Sequence, residues 1–499
     1  MTRPVLAFAS SALVLLLVAC GGAGSNKSSG SGGGNGGGGS GTGSGSGTGT
    51  GTGAQWAWIS GSQASTTSSS QPGVYGTLGT AAAGNVPGSR GVANGWADSS
   101  GNIWIFGGFQ SGSTANPLAE LNDLWMFDPT SNEWTWISGS NTTGAAGVYG
   151  TQGTAAAANV PGARSDSVSW TDANGNFWLF GGLSPNNSPT FVGDLNDLWM
   201  FNPASTSRQW TWEGGSQTTG ASGVYGTLGT PAAGNFPGAR EQAISWSDTG
   251  GNLWLFGGYG FDGSTQTTID LNDLWEYSTK TNQWTWVSGS NVGGAKGTYG
   301  TLGAASSTNV PGSREFGSSW IDASGNLWLF GGYGYDANKI RGRLEDMWEF
   351  SPSNQQWTWV AGNKQANTSG TYGTQGTPAA SNTPGARNGG ATWVDTSGNL
   401  WLFGGNGYDS SGTLGELNDL WKFSPTTKQW TWVSGSNKVN GTGVYGTEGT
   451  AAAANFPGSR DSGISITDKS GNFWLFGGYT GSSKGADSIA LNDLWRYQP

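Results

Sequence analysis

The chain has 499 residues, 92 of them Gly and 29 Trp, and carries a formal net charge of −10 with no His. Only 10% of the residues are charged, so there is no basic face for nucleic acid and nothing draws the bulk of the chain to an anionic lipid surface. Without His, His-based triads and His-ligated zinc or copper are not available to it.

The chain opens with MTRP, a short positive start, followed by an apolar run ending in LVAC. That run is too short to span a bilayer and reads as an export signal over residues 1–19. Leu17-Val18-Ala19-Cys20 resembles the lipobox of bacterial lipoproteins. The resemblance implies that Cys20 is lipidated and becomes the mature N-terminus. The expected location is the cell envelope, with the lipid held by the outer membrane or the cell surface. Cys20 is the only Cys, so no disulfide framework is expected. Residues 20–53 are almost wholly Gly, Ser and Thr and read as a flexible tether, spanning roughly 30 Å as a random coil.

From residue 54 to 499 the chain repeats. The first phrase met is AQWAWISGS at 54–62, a Trp-rich strand that returns as QWTWVSGS at 283–290 and 429–436. Next come PGxR, with arginines at 90, 164, 240, 314, 387 and 460, then W-[LI]-F-G-G, then LNDLW or its variant LEDMW at 344–348. Successive W-[LI]-F-G-G phrases are separated by 74, 76, 74, 73 and 73 residues, a regularity that chance does not produce. Each phrase is rich in β-branched and aromatic residues and bounded by turn residues, and no helical periodicity competes with it. Every repeat therefore reads as four antiparallel strands: a after PGxR, b ending in Gly-Gly, c at LNDLW and d at WxW. The expected fold is all-β, a six-bladed propeller.

The Gly-Gly strand, LNDLWxFxP and QWTW together resemble kelch repeats over residues 54–499. The resemblance implies a β-propeller and says little about activity. These repeats are longer than usual, and the excess lies between strands d and a, in segments of the form GVYGTxGTxAAxNxPGxR. All 29 Trp residues fall at repeat positions, which suits wedging between blades better than sugar stacking. The last repeat ends after LNDLW with no WxW of its own. Residues 55–59 are therefore expected to pair with 491–497 and complete that blade.

Strands b and d run in the same direction, so b–c loops and d–a connections leave from one face, where binding is expected. The tyrosines of the d–a segments recur once per repeat, which suits packing or a six-fold collar. The six PGxR arginines, Arg90, Arg164, Arg240, Arg314, Arg387 and Arg460, are candidates for a ligand-binding ring; bridges to the LND aspartates are the structural alternative. Function is expected where repeats differ. Asp166, Glu241, Glu315 and Asp461 lie just beyond those arginines and would make one channel mouth acidic, the setting for any carboxylate catalysis. Lys339, Arg341 and Arg343 form the one basic cluster, a further binding candidate. Asp262, Asp336 and Asp409 recur in b–c loops as weak Ca²⁺ candidates, although their spacing matches no established calcium loop.

Some kelch propellers are copper radical oxidases that use His ligands and a Tyr–Cys crosslink; this chain has neither His nor an internal Cys. Binding is favoured over catalysis, with no cofactor required. The expected ligand is a glycan or another envelope or extracellular protein, engaged by a monomer. The enzymatic alternative is a mutarotase-like proton transfer on a sugar, and the third is a purely structural envelope protein.

Overall fold

The computed structural model describes residues 54–63, 70–110, 119–185, 192–264, 267–481 and 488–499. The export signal, Cys20 and the tether lie outside them. Among the described residues there are only strands and turns. They form six antiparallel blades with the strand order a-b-c-d in each, and a short pairing of Tyr479–Thr480 with Ile489–Ala490 extends the sixth. In the first blade these are Asn94–Ala97, Ile103–Phe109, Glu120–Asp128 and Glu133–Ser138.

The a–b hairpin is built by one aspartate. Asp98 accepts from the Ser100 and Asn102 amides, the Asn102 side chain and the Trp104 indole, and Gly101 takes the left-handed turn position. Asp172, Asp248, Asp322, Asp395 and Asp468 likewise accept the strand-b indole in the other blades. Strand b ends in a bulge at Gly-Gly. A Cβ on Gly107 would lie 2.8 Å from the Arg164 carbonyl of the next blade, so only glycine allows the blades to approach this closely.

The core lies between neighbouring blades. Trp96, Trp104 and Phe106 of the first blade pack on Phe177, Trp199 and Trp210 of the second, all at most 3% exposed. Strand-a indoles also cross between blades: Trp246 donates to the Trp328 carbonyl at 3.0 Å and Trp320 to that of Trp401 at 2.9 Å. The tryptophans are thus structural wedges.

The d–a segments turn out to be edge covers. Their amides bond the outermost strand of the blade they lead into: Gly79 donates to the Trp136 carbonyl at 2.8 Å, and Ala82 bridges Trp134. Ala305–Ser306 pairs with Trp357 and Thr358. The extra length of each repeat therefore occupies the rim and shields an edge that would otherwise template another chain. The last residues of the connections return to the b–c loops, where the amides of Phe261, Tyr335 and Tyr408 donate to the Ala239, Ser313 and Ala386 carbonyls.

Gln55–Ser60 pairs antiparallel with Leu494–Gln498, in the register Trp56 to Tyr497 and Trp58 to Trp495. On its other side, Gly449 and Ala452 donate to the Trp58 and Trp56 carbonyls.

Candidate functional site

Each PGxR arginine is sequestered beneath the channel. Arg90 forks onto Asp123 at 2.6 and 2.8 Å, and it also donates to the Gly88 and Gly107 carbonyls at 3.0 Å. The Tyr75 hydroxyl and the Trp125 indole donate to the same carboxylate. The unit recurs as Arg164–Asp197, Arg240–Asp273, Arg314–Asp346, Arg387–Asp419 and Arg460–Asp493, with every arginine side chain at most 1% exposed. Burial, then the neighbouring aspartate, pushes the hydroxyls of Tyr75, Tyr149, Tyr225, Tyr299 and Tyr372 well above their ordinary range, and the Tyr445 hydroxyl likewise donates to Asp493. The arginine ring therefore offers no surface to a ligand, and its role is to tie strand a to strand c.

Two residues beyond each arginine, the six innermost segments join. The amides of Val92, Asp166, Gln242, Phe316, Gly389 and Ser462 each donate to the matching carbonyl of the preceding blade, at 2.8–3.1 Å. Val92 bonds Ser462, so the hydrogen bonds close into a cycle of six. All six residues have φ between 50° and 68°, the left-handed region that favours glycine, yet only one is Gly. Holding a β-branched residue such as Val92 there costs about 1–2 kcal/mol, which the cycle and the packed blades offset. The channel is pinched to this collar.

Above the collar, on the b–c loop side, one row of side chains differs from blade to blade. It runs across strands a, b and c as Gly91, Phe109 and Glu120; then Ser165, Leu183 and Asp194; then Glu241, Tyr259 and Asp270. It continues as Glu315, Tyr333 and Arg343; Asn388, Asn406 and Glu416; and Asp461, Tyr479 and Ala490. Three of the four expected acidic candidates, Glu241, Glu315 and Asp461, are here, while Asp166 belongs to the collar itself. Asp166, Glu241 and Glu315 are half-buried, whereas Asp461 is 3% exposed. Glu120, Asp194, Asp270 and Glu416 join them, one residue ahead of each LND phrase.

Two of the three basic candidates also reach this row. Arg341 bridges neighbouring blades, bonding Asp270 at 2.5 and 2.8 Å and Glu315 at 3.4 Å, with its guanidinium 4.5 Å from the Tyr333 ring centre. Arg343 donates to the Asn406 carbonyl at 3.1 Å and to its side-chain oxygen. Lys339 stays exposed on the b–c turn. Asp262, Asp336 and Asp409 are buried and hold that turn to the start of the d–a connection, through the amides of Gly293, Ala366 and Val439. Among the described residues no three acidic groups converge as a metal cage.

Burial, with Asp166 and Glu315 nearby, pushes the Asp194 carboxyl up to about 8. Burial and Asp461 push Glu416 to about 9, against lowering by Asn406 and Arg343; burial also raises Glu120 to about 7. Between the unfolded and folded values the folded protein holds the extra protons, so stability falls as pH rises through this window. Melting midpoints are expected to be higher at pH 5 than at pH 8, by at most about 1.4 kcal/mol per pH unit for each such group. Glu416→Gln should flatten the slope; a midpoint that rises from pH 5 to 8 would contradict the assignment.

The KLHDC2/KLHL20/DRC7 Kelch-repeats domain, a family model, matches residues 229–443, from the segment leading into the third blade to beyond the fifth. No curated protein matches the chain. That match over part of the chain and the six four-stranded blades in a ring together support a kelch-repeat β-propeller protein.

Proposed function

We propose that this protein is an exported, lipid-anchored binding module whose channel mouth engages a glycan or another envelope or extracellular protein. The kelch propeller supports an interaction role in general. The observation that carries the particular reading is the asymmetry of the mouth. Buried arginine, collar and rim segment repeat six times, whereas the row above the collar has a different set of groups in every blade. Symmetric positions serve packing, and a specific partner needs an asymmetric set of contacts. Tyr259, Tyr333 and Arg341 supply half-exposed aromatic and guanidinium surface at its centre. The sequence before Cys20 supports export and anchoring, and the Gly/Ser/Thr tether would hold the propeller clear of the membrane.

The test is a glycan array and an envelope pull-down with the full chain, beside Tyr333→Ala and Arg341→Ala. One glycan or one stoichiometric protein is expected to bind, with at least tenfold loss in the variants. Absence of both would leave a structural role, and full retention by both variants would remove the channel mouth as the binding surface. The raised carboxyls of Asp194 and Glu416 favour a second reading, proton transfer on a bound sugar. Polarimetry of freshly dissolved sugar anomers checks it: no acceleration by the full chain removes it.

A further inference from the structure

In five blades the LND asparagine closes the groove to the next blade. Asn122, Asn196, Asn272, Asn418 and Asn492 donate to Pro161, Pro237, Pro311, Pro457 and Pro87 at 3.1–3.4 Å. Their side-chain oxygens accept from a serine amide after strand d, as Asn122 does from Ser140 at 2.9 Å. In the fourth blade this residue is Glu345, and its neighbours after strand d are Asn363 and Lys364 in place of the usual Ser-Asn or Ser-Gln. A carboxylate cannot donate to the Pro384 carbonyl, which takes the Thr383 hydroxyl at 3.1 Å instead. Glu345 is 4% exposed; the Asn363 amide and the Thr368 side chain lie against its carboxylate, but its Oε2 has no hydrogen-bond partner. Here, between the fourth and fifth blades, lies a cleft of about 360 Å³ lined by Glu345, Trp359, Asn363, Lys364 and Ser381.

We infer that this cleft is a binding site for one neutral, hydroxyl-rich ring, a pyranose of a glycan. An unmet buried acceptor is costly, and a ligand hydroxyl would satisfy it. Asn363 and Lys364 supply donors at the rim, and the half-buried Trp359 supplies apolar surface for the ring's C–H face. Lys428, further along the cleft, is engaged by Glu349 at 3.3 Å, so the cleft gathers no cluster of one sign that would call for an ionic ligand. Burial also raises the Glu345 carboxyl to about 7, so near neutrality it both donates and accepts, as a hydroxyl does. The volume falls within the roughly 300–1,000 Å³ of small-molecule sites.

Saturation-transfer NMR on the full chain tests this with free glucose, galactose, mannose and N-acetylglucosamine, and with alanine as a zwitterionic control. At least one pyranose is expected to bind with a Kd near 1 mM, about −4 kcal/mol. Glu345→Asn restores the residue of the other five blades, so it should keep the melting midpoint and lose at least tenfold in affinity; Lys364→Asn should weaken binding as well. Glu345→Asn should leave capture of a protein partner at the channel mouth unchanged, which separates this site from the partner site proposed above. No transfer from any pyranose, a response to alanine alone, or undiminished binding by Glu345→Asn overturns the inference.

Discussion

Removing residues 54–60 is expected to abolish the single cooperative unfolding transition or to lower its midpoint far more than loss of a terminal segment normally does. The segment is short, but its surroundings belong to a protein centre. Trp56 is 2% exposed and meets Trp393, Phe403, Phe456, Trp495 and Tyr497, with ring centres 4.9–6.3 Å apart. Trp58 packs edge-on against Tyr445 at 5.5 Å. The strand has hydrogen-bonded neighbours on both sides, Leu494–Gln498 and the rim segment at 449–452. Its loss would strip the sixth sheet of its outermost strand and leave a bare edge for aggregation. It would also open the aromatic cluster shared by the fifth and sixth blades. Trp56→Ala alone should cost about 3–5 kcal/mol, in the range of large core truncations. Melts of the full chain, the deletion and Trp56→Ala decide it, and an unchanged midpoint for the deletion would refute a structural role for the strand.

The architecture could be read from the residues because every repeat states it again. WxW, PGxR, Gly-Gly and LND each occupy the strand that their spacing predicts. What escaped depends on contacts distant in sequence. GVYGT segments carry turn-like composition, and nothing local says that Gly79 will meet Trp136 across the rim. The left-handed collar is hidden because Val92, Gln242 and Phe316 are residues that avoid that conformation. For the mouth the signal was present but unread. The residue before each LND phrase is Glu120, Asp194, Asp270, Arg343 or Glu416 in five repeats, charged where a buried strand should be apolar. Glu345 was equally visible as a break in the LND phrase; its meaning needed the five inter-blade bonds it replaces.

Arg314→Met is expected to destabilise the fold by about 3–5 kcal/mol, the cost of leaving a buried charge without its partner. Arg314 and Asp346 are 0% exposed and joined by two bonds of 2.7 Å. With the guanidinium gone, Asp346 keeps only the Tyr299 hydroxyl and the Trp348 indole as donors, and the Gly312 and Gly331 carbonyls lose theirs. Asp346→Leu should cost a similar amount, since it strands the arginine. The double variant Arg314→Met/Asp346→Leu removes both charges together, so it should be less destabilised than the two single losses summed, by 2 kcal/mol or more. It should not return to wild type, because the tyrosine and tryptophan donors are left buried without an acceptor, at about 1–3 kcal/mol. Denaturant melts of the four proteins complete the cycle. Additive losses would mean that the pair does not act as a unit, and the arginines of the other five blades would lose their structural explanation with it. A strong coupling accounts for why the PGxR arginine and the aspartate of LND or LED recur together in every blade: each is the partner that makes burying the other tolerable.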